Sequence, residues 1–218
     1  MKTDFYQNFK VVKKISEQEL RENSYLIADT KTNNAIVIDP GYDSEYLIRV
    51  IENEGYSLKY ILITHAHHDH IAGVQAFSEY FSLPCTIHLE DKRMLMHSSM
   101  YSIRFARRQM DRPNNIQWLS DKLLGELEQH GIYILHTPGH SRGSICIFFQ
   151  HVIFTGDTLV KNYLGRTDLP EGDKTKILQS VDRLINKGRK MNSLMLYPGH
   201  GENWSLLEAQ QWWNNHKK

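Results

Sequence analysis

The order of strand-like and helix-like segments predicts an α/β (α+β) chain arranged as a four-layer αββα sandwich, with two sheets packed together and helices on their outer faces. Three observations carry that expectation. The chain runs through a strand-rich stretch, helices, a second strand-rich stretch and closing helices. Its apolar runs are short and β-branched or aromatic, and are bounded by Gly, Pro and Asn. Its 218 residues, 40% hydrophobic and 23% charged, are enough to bury a full core without disulfide or metal staples. With no internal repeat, low-complexity tract or linker, residues 1–218 read as one domain with an Arg/Met-rich helical insertion around 90–118.

The elements follow in order. NSYLIAD (Asn23 to Asp29) and AIVID (Ala35 to Asp39) read as strands separated by the polar turn TKTNN. Ser44 is placed to cap a helix with Tyr46, Leu47, Val50 and Ile51 on its inward face, and Gly55 stops it. YILIT (Tyr60 to Thr64) reads as a buried strand entering a histidine cluster. A helix with Ile71, Val74, Phe77 and Phe81 inward follows, then a strand at CTIHL. The segment from Glu90 to Trp118 carries Arg104, Arg107, Arg108 and Arg112, whose offsets of three and four predict one helical stripe. GELEQHG, IYILHTPGH, GSICIFF and HVIFTGD together read as an antiparallel β run. A helix over Thr175 to Asn186, a strand at SLMLYPGH and a terminal helix over Ser205 to His216 complete the chain.

Composition excludes several classes. The 26 Lys+Arg against 25 Asp+Glu leave a net charge of +1, which gives no electrostatic case for wrapping nucleic acid. No apolar run approaches the roughly 18–20 residues that span a bilayer. MKTDFYQNFKVVKK has neither an apolar core nor a cleavage site of a secretory signal, so a cytoplasmic protein is expected. Cys85 and Cys146 lie in apolar surroundings and read as buried free thiols. The outlier is twelve histidines, which direct attention to metal or acid–base chemistry.

Thr64-His65-Ala66-His67-His68-Asp69-His70 directly follows YILIT. Histidines at i and i+2 cannot share a helix face, so His65, His67 and Asp69 are expected on a turn at the strand's end. His140, Asp157 and His200 each sit at the exit of another apolar strand. If those strands are neighbours, their ends bring His65, His67, Asp69, His70, His140, Asp157 and His200 together. Imidazole and carboxylate without thiolate suit Zn, Fe or Mn. The ligands are too many for one tetrahedral ion and fit two divalent metals, with zinc the first expectation. His68 and His136 take no ligand role, nor do the remaining histidines. Asp39 is read either as a group that fixes a ligand histidine or as a plain Asp-Pro-Gly turn.

These residues carry a resemblance. IDPG (Ile38 to Gly41), THAHHDH (Thr64 to His70), TPGH (Thr137 to His140), TGDTL (Thr155 to Leu159) and YPGH (Tyr197 to His200) make the chain resemble the metallo-β-lactamase superfamily over nearly its whole length. The resemblance implies the αββα metallo-β-lactamase fold, with His65, His67 and His140 on one metal, Asp69, His70 and His200 on the other, and Asp157 bridging. Within the superfamily it looks most like compact bacterial glyoxalase II-like (hydroxyacylglutathione hydrolase-like) proteins. The GRTD of YLGRTDLPEGD (Tyr163 to Asp173) is shared by these and by persulfide dioxygenases. The implied activity is hydrolysis of a thioester or related ester by hydroxide bridging the metals, with Asp69 and Asp157 as the catalytic carboxylates. A thiolate with a pKa near about 8.5 leaves without strong acid help.

An anionic thioester is the expected small-molecule substrate of a monomer or homodimer. Lys161, Asn162 and Tyr163, close after Asp157, are candidate substrate contacts, as are Arg166, Arg104 and Arg108, the arginines as grips for a carboxylate or phosphate. The alternatives are an Fe(II) persulfide dioxygenase, a phosphodiesterase or nuclease on the same fold, and a metal-stabilised binding domain without catalysis. Gly201-Glu202 after the last PGH, in place of Asp-Tyr, speaks against the dioxygenase.

Overall fold

The computed structural model describes residues 2–217. They divide into two compact units, one drawn from Met1–Ile87 and Lys92–Trp118, the other from His88–Asp91 and Leu119–Lys218.

In the first unit, the described residues form a seven-stranded sheet in sequence order: β1 (Lys2–Phe5), β2 (Phe9–Ile15), β3 (Asn23–Asp29), β4 (Asn34–Ile38), β5 (Ser57–Leu62), β6 (Cys85–Ile87) and β7 (Ile116–Trp118). β1 to β4 pair antiparallel and β4 to β7 parallel. Parallel neighbours need long crossovers, and helices supply them. α1 (Glu45–Asn53) follows β4, while α2 (His68–Ile71) and α3 (Val74–Phe81) follow β5. α4 (Lys92–Tyr101) runs into a π-helical turn at Ser102–Ala106 before β7. Leu47 and Ile51 of α1, Ile71, Val74 and Phe77 all share one buried cluster with Val37 and Ile61 of the sheet and with Ile63 just after β5.

Several sequence expectations are corrected here. Tyr46 is 42% exposed and Ile48 is buried in its place, because Leu47, Ile48, Val50 and Ile51 form the inward arc of α1. Ser44 precedes α1 but makes no capping bond; its hydroxyl donates to the Gly41 carbonyl at 2.7 Å. β1 and β2 were not expected. The three lysines of FKVVKKI hide the strand pattern, yet Lys10 and Lys13 bury their stems. The Lys10 ammonium pairs with Glu54, and that of Lys13 lies 5.9 Å from the Tyr25 ring centre. The arginine stripe is also corrected. The helix ends when Arg107 enters the left-handed region (φ 52°), so Arg108 and Arg112 lie beyond it. The Ser102 hydroxyl donates to the Arg108 carbonyl at 2.7 Å and locks that stop.

In the second unit, α5 (Asp121–Gln129) precedes β8 (Ile132–His136), β9 (Ile145–Phe149), β10 (Val152–Gly156), β11 (Leu159–Val160) and β12 (Tyr163–Leu164). α6 (Lys174–Lys190), β13 (Met195–Pro198), β14 (Trp204–Ser205) and α7 (Leu206–His216) follow. GELEQ, expected in the β run, is helical: Ser120 caps α5 by accepting from the Leu123 N–H, and Leu123 and Leu127 bury its apolar face. Among the described residues the main sheet has the order β14-β13-β10-β9-β8. β10 and β13 are parallel, joined through α6, and the other pairs are antiparallel. Val181, Leu184 and Ile185 of α6 and Ala209 and Trp213 of α7 cluster with Cys146, Phe148, Ile153 and Leu196. A capping box between Ser205 and Glu208 starts α7.

Cys85 and Cys146 are both free and buried. Burial pushes their thiols up to about 12 and about 11. No helix among the described residues is long and apolar enough to cross a membrane.

His88 stacks on His136 with ring centres 4.0 Å apart. Burial, aided by the His136 charge, pushes its imidazole down to about 4. Above the unfolded value of about 6.5 both states hold His88 neutral. Below it the unfolded chain takes up a proton that the folded chain refuses. Stability should therefore fall as pH drops from about 6.5 to about 4, and denaturant titrations of His88→Gln should show a shallower fall over that window.

Candidate metal centre

In the first unit the site is built on the ends of β4 and β5. Asp39 follows β4 with φ 48°, a left-handed conformation that Asp tolerates better than most residues. That turn aims its fully buried carboxylate at the exit of β5. Oδ1 accepts from the Thr64 N–H at 2.7 Å, and Oδ2 accepts from the Thr64 hydroxyl at 2.5 Å. Oδ2 also lies 3.0 Å from His70 Nδ1. A carboxylate only accepts, so Nδ1 carries the proton and Nε2 presents its lone pair. His70 Nε2 faces Asp69 Oδ2 at 3.7 Å. Thr64 Oγ1 lies 3.0 Å from His65 Nδ1.

The His65 ring stands at 89° to that of His67, with centres 4.8 Å apart, and at 48° to His70 at 4.3 Å. His65 and His67 each offer a ring nitrogen within 4.8 Å of the other, near enough for both to reach one ion. Asp39, His65 and His70 also form a group whose polar atoms lie within 4.8 Å of one another. The Asp39 oxygens are committed to Thr64 and His70, so its part is orientation. Gly41 is required here: a Cβ would lie 2.2 Å from the Asp69 carbonyl oxygen.

Sequence reasoning missed three neighbours of this turn. Glu22, wholly buried, accepts from the Tyr42 N–H at 2.8 Å. Burial, then the charge of Asp69, pushes its carboxyl up. The Tyr42 hydroxyl lies 2.6 Å from Ser102 Oγ and 3.4 Å from His68 Nδ1. Thr64 was read only as the last strand residue. A polar side chain inside an otherwise apolar strand exit was the available signal.

In the second unit the corresponding groups leave β8, β10 and β13. The His140 Nδ1–H donates to the Arg166 carbonyl at 2.8 Å, which fixes the tautomer and turns Nε2 to Asp157 Oδ2 at 3.5 Å. His200 Nε2 reaches the same oxygen, also at 3.5 Å. Parallel pairing of β10 with β13 and the Gly199 N–H bond to the Gly156 carbonyl (2.8 Å) place Asp157 and His200 at adjacent strand ends. Two donors each about 2.1 Å from one tetrahedral ion lie about 3.4 Å apart. A hydrogen bond would be nearer about 2.8 Å. The separations in both units thus fit donors that share a cation, and the imidazole–carboxylate set suits zinc, iron or manganese alike.

The candidate substrate residues fare differently. Lys161 and Asn162 form the turn between β11 and β12, with Asn162 at φ 67°. The Lys161 ammonium binds Glu202 at 2.7 Å. Tyr163 is half exposed, and burial, then the Asp157 charge, pushes its phenol up. The Arg166 side chain forms a two-point pair with Asp168 (3.0 and 2.7 Å), which holds the Asp168 carboxyl at about 2. Its carbonyl, not its guanidinium, is what orients His140. Arg104 and Arg108 are exposed in the first unit. Arg104 lies 5.7 Å from the Phe105 ring centre and Arg108 lies 5.1 Å from that of Tyr42.

Residues 18–200 match the profile described as the Metallo-beta-lactamase superfamily. A protein of Methanocaldococcus jannaschii named as a probable metallo-hydrolase is 34% identical over 201 residues, covering 88% of this chain and 93% of its own. The hydroxyacylglutathione hydrolase GloC of Haemophilus influenzae is 33% identical over 189 residues, covering 83% and 86%. Among solved structures, TTHA1623 in a di-iron-bound form superposes with a TM-score of 0.79 at 27% identity, over 92% of this chain and 97% of its own. That likeness matches the fold predicted from the order of elements.

A Cβ at Gly165 would fall 1.7 Å from the Asp157 carbonyl oxygen and 3.0 Å from His140 Nδ1. Gly165→Ala should therefore displace both groups and lower the metal content of purified protein by at least about tenfold, read by elemental analysis, as expected when a ligand's support is disturbed.

Proposed function

The chain belongs to the metallo-β-lactamase superfamily and is a metallo-hydrolase, and from that membership we propose that it hydrolyses thioesters of the glyoxalase II class. The carrying observation is Asp157 Oδ2, 3.5 Å from both His140 Nε2 and His200 Nε2, a spacing suited to a carboxylate shared between metal-bound imidazoles. On this reading residues 1–218 act as one catalytic domain, in which His65, His67 and His140 hold one divalent ion, Asp69, His70 and His200 a second, and Asp157 bridges them. The split of the signature between both units and the family match across residues 18–200 support it. When bound, such a pair of ions lowers the pKa of water to about 7 and acts as a Lewis acid at a carbonyl oxygen.

The chain's own residues prepare that chemistry. Asp39 keeps the His70 proton on Nδ1, and the Arg166 carbonyl does the same for His140. Each therefore presents a neutral nitrogen as donor. Asp69, buried beside His70, would orient the attacking water as well as hold metal. Water adds to the thioester carbonyl, the C–S bond breaks, and acid and thiol leave. The likeness to a hydroxyacylglutathione hydrolase favours a thioester over other esters, and zinc, iron and manganese remain the ions to be compared, a di-iron form being known for a structural relative.

The test is reconstitution with each metal, followed by hydrolysis of a panel of thioesters, lactones, phosphodiesters and persulfides. A thioester should be cleaved fastest. Asp157→Ala and His140→Ala should each lower kcat/KM by at least about a thousandfold, given that such ions supply several kcal/mol. Oxygen uptake with glutathione persulfide and one iron per chain, or full activity in both variants, would refute the proposal. A second measurement isolates Asp39: Asp39→Asn should weaken metal binding by about 10- to 100-fold in competition with a chelator, since its NH2 must face either the Thr64 N–H or the Thr64 hydroxyl and His70 Nδ1, all of them donors to the carboxylate.

A further inference from the structure

From Lys92 to Met110 the chain carries five Lys and Arg and no Asp or Glu. Buried Met94, Leu95 and Ser98 hold α4 against the first unit's core. On its outer side Met96, Met100 and Ile103, spaced i, i+4 and i+7, are 56%, 54% and 59% exposed, and Phe105 is half exposed. That spacing makes one continuous apolar stripe. Isolated exposed apolar residues are commonplace, but a continuous stripe beside the exposed Arg104 and Arg107, with Arg108 shared with Asp43, has the character of a binding surface. Its Phe105 end lies at the candidate metal turn: the Phe105 ring is stacked over His68, with centres 6.4 Å apart, and the Tyr42 hydroxyl links His68 to Ser102.

We infer that this segment docks an anionic, amphiphilic acyl thioester, with the acyl chain along Phe105, Ile103, Met100 and Met96 and the anionic thiol portion against Arg104, Arg107 and Arg108. The inference rests on the thioester reading above and names its substrate class. Nine residues of helical rise span roughly 14 Å, the reach of an extended chain of about ten carbons. Unbranched methionines adapt to such a chain without demanding one shape. Exposed arginines in the last helical turn and just after it suit phosphate or carboxylate groups. A second copy of this chain is disfavoured as occupant, because a symmetric contact would set the cationic rim of one copy against that of the other.

The probes are S-decyl and S-methyl coenzyme A thioethers, which present a phosphate-bearing thiol portion and cannot be hydrolysed, titrated calorimetrically into the metal-loaded full chain. The S-decyl probe should bind at least about tenfold more tightly than the S-methyl probe. Met100→Ser/Ile103→Ser should bring that ratio close to one. Arg104→Gln/Arg107→Gln should weaken both probes and flatten their salt dependence. Ile103→Leu should keep the ratio, which separates loss of apolar surface from disturbance of the helix. Equal affinity for the two probes, or a ratio untouched by the serine substitutions, would overturn the inference. So would a wild-type dimer in sedimentation equilibrium that the serine substitutions dissolve. The same holds for binding to phosphatidylserine-containing vesicles without binding of the S-decyl probe, which would assign the stripe to a bilayer. Because binding is read without turnover, failure here beside intact thioester hydrolysis defeats only the docking surface. Chain-dependent binding without hydrolysis of any thioester defeats only the proposed activity.

Discussion

A buried carboxylate that serves three donors at once organises the first unit. Asp39 has almost no contact with water, and a charge so placed is tolerated only if hydrogen bonds replace its hydration. The Thr64 N–H, the Thr64 hydroxyl and the His70 imidazole do so. In return, these bonds set where the chain leaves β5 and which nitrogen of His70 is exposed to a ligand. The left-handed backbone at Asp39 and the close approach of Gly41 to Asp69 follow from the same need. Backbone in that region costs about 1–3 kcal/mol for ordinary residues and persists where surrounding bonds over-determine it.

The second unit reaches a similar end by other means. His140 is oriented by a main-chain carbonyl, and His200 and Asp157 by parallel pairing of the strands that carry them. The loop after His140 is held by another buried carboxylate: Asp91 accepts from the Ser141 hydroxyl at 2.9 Å and the Gly143 N–H at 2.6 Å. A Cβ at Gly143 would meet Asp91 at 2.6 Å, so the residue there must be small. In each unit, hydrogen bonds and strand pairing fix the candidate donors independently of one another's side chains.

The segment after β6 is a different kind of feature. Its inner side is spent on packing, and its outer side shows apolar groups to water along a stretch, Lys92 to Met110, that holds no Asp or Glu. Neither property assists folding. The π-helical turn is a distortion that often accompanies functional positions, and it lies in the same segment as the stripe from which the docking of substrate is inferred.

Much of this was legible in the amino-acid order. The short apolar, aromatic run of NSYLIAD marked β3, a strand buried on both faces, and the 3.6-residue spacing around Ile71, Val74 and Phe77 marked α3, which buries one face. Histidine and aspartate at the exits of apolar runs marked every candidate ligand, since strand ends are where a sheet delivers side chains to one edge. Local order could not disclose that Lys10 and Lys13 bury their stems within a strand or that GELEQ is helical. Nor could it disclose that the arginines fail to share a helix, since Arg107 turns the chain aside. Those outcomes depend on neighbours distant in sequence: Glu54 and Tyr25 beside the lysines, and the packing of Leu123 and Leu127. The tautomers were likewise decided by tertiary structure alone, because only folding brings Asp39 to His70 and the Arg166 carbonyl to His140.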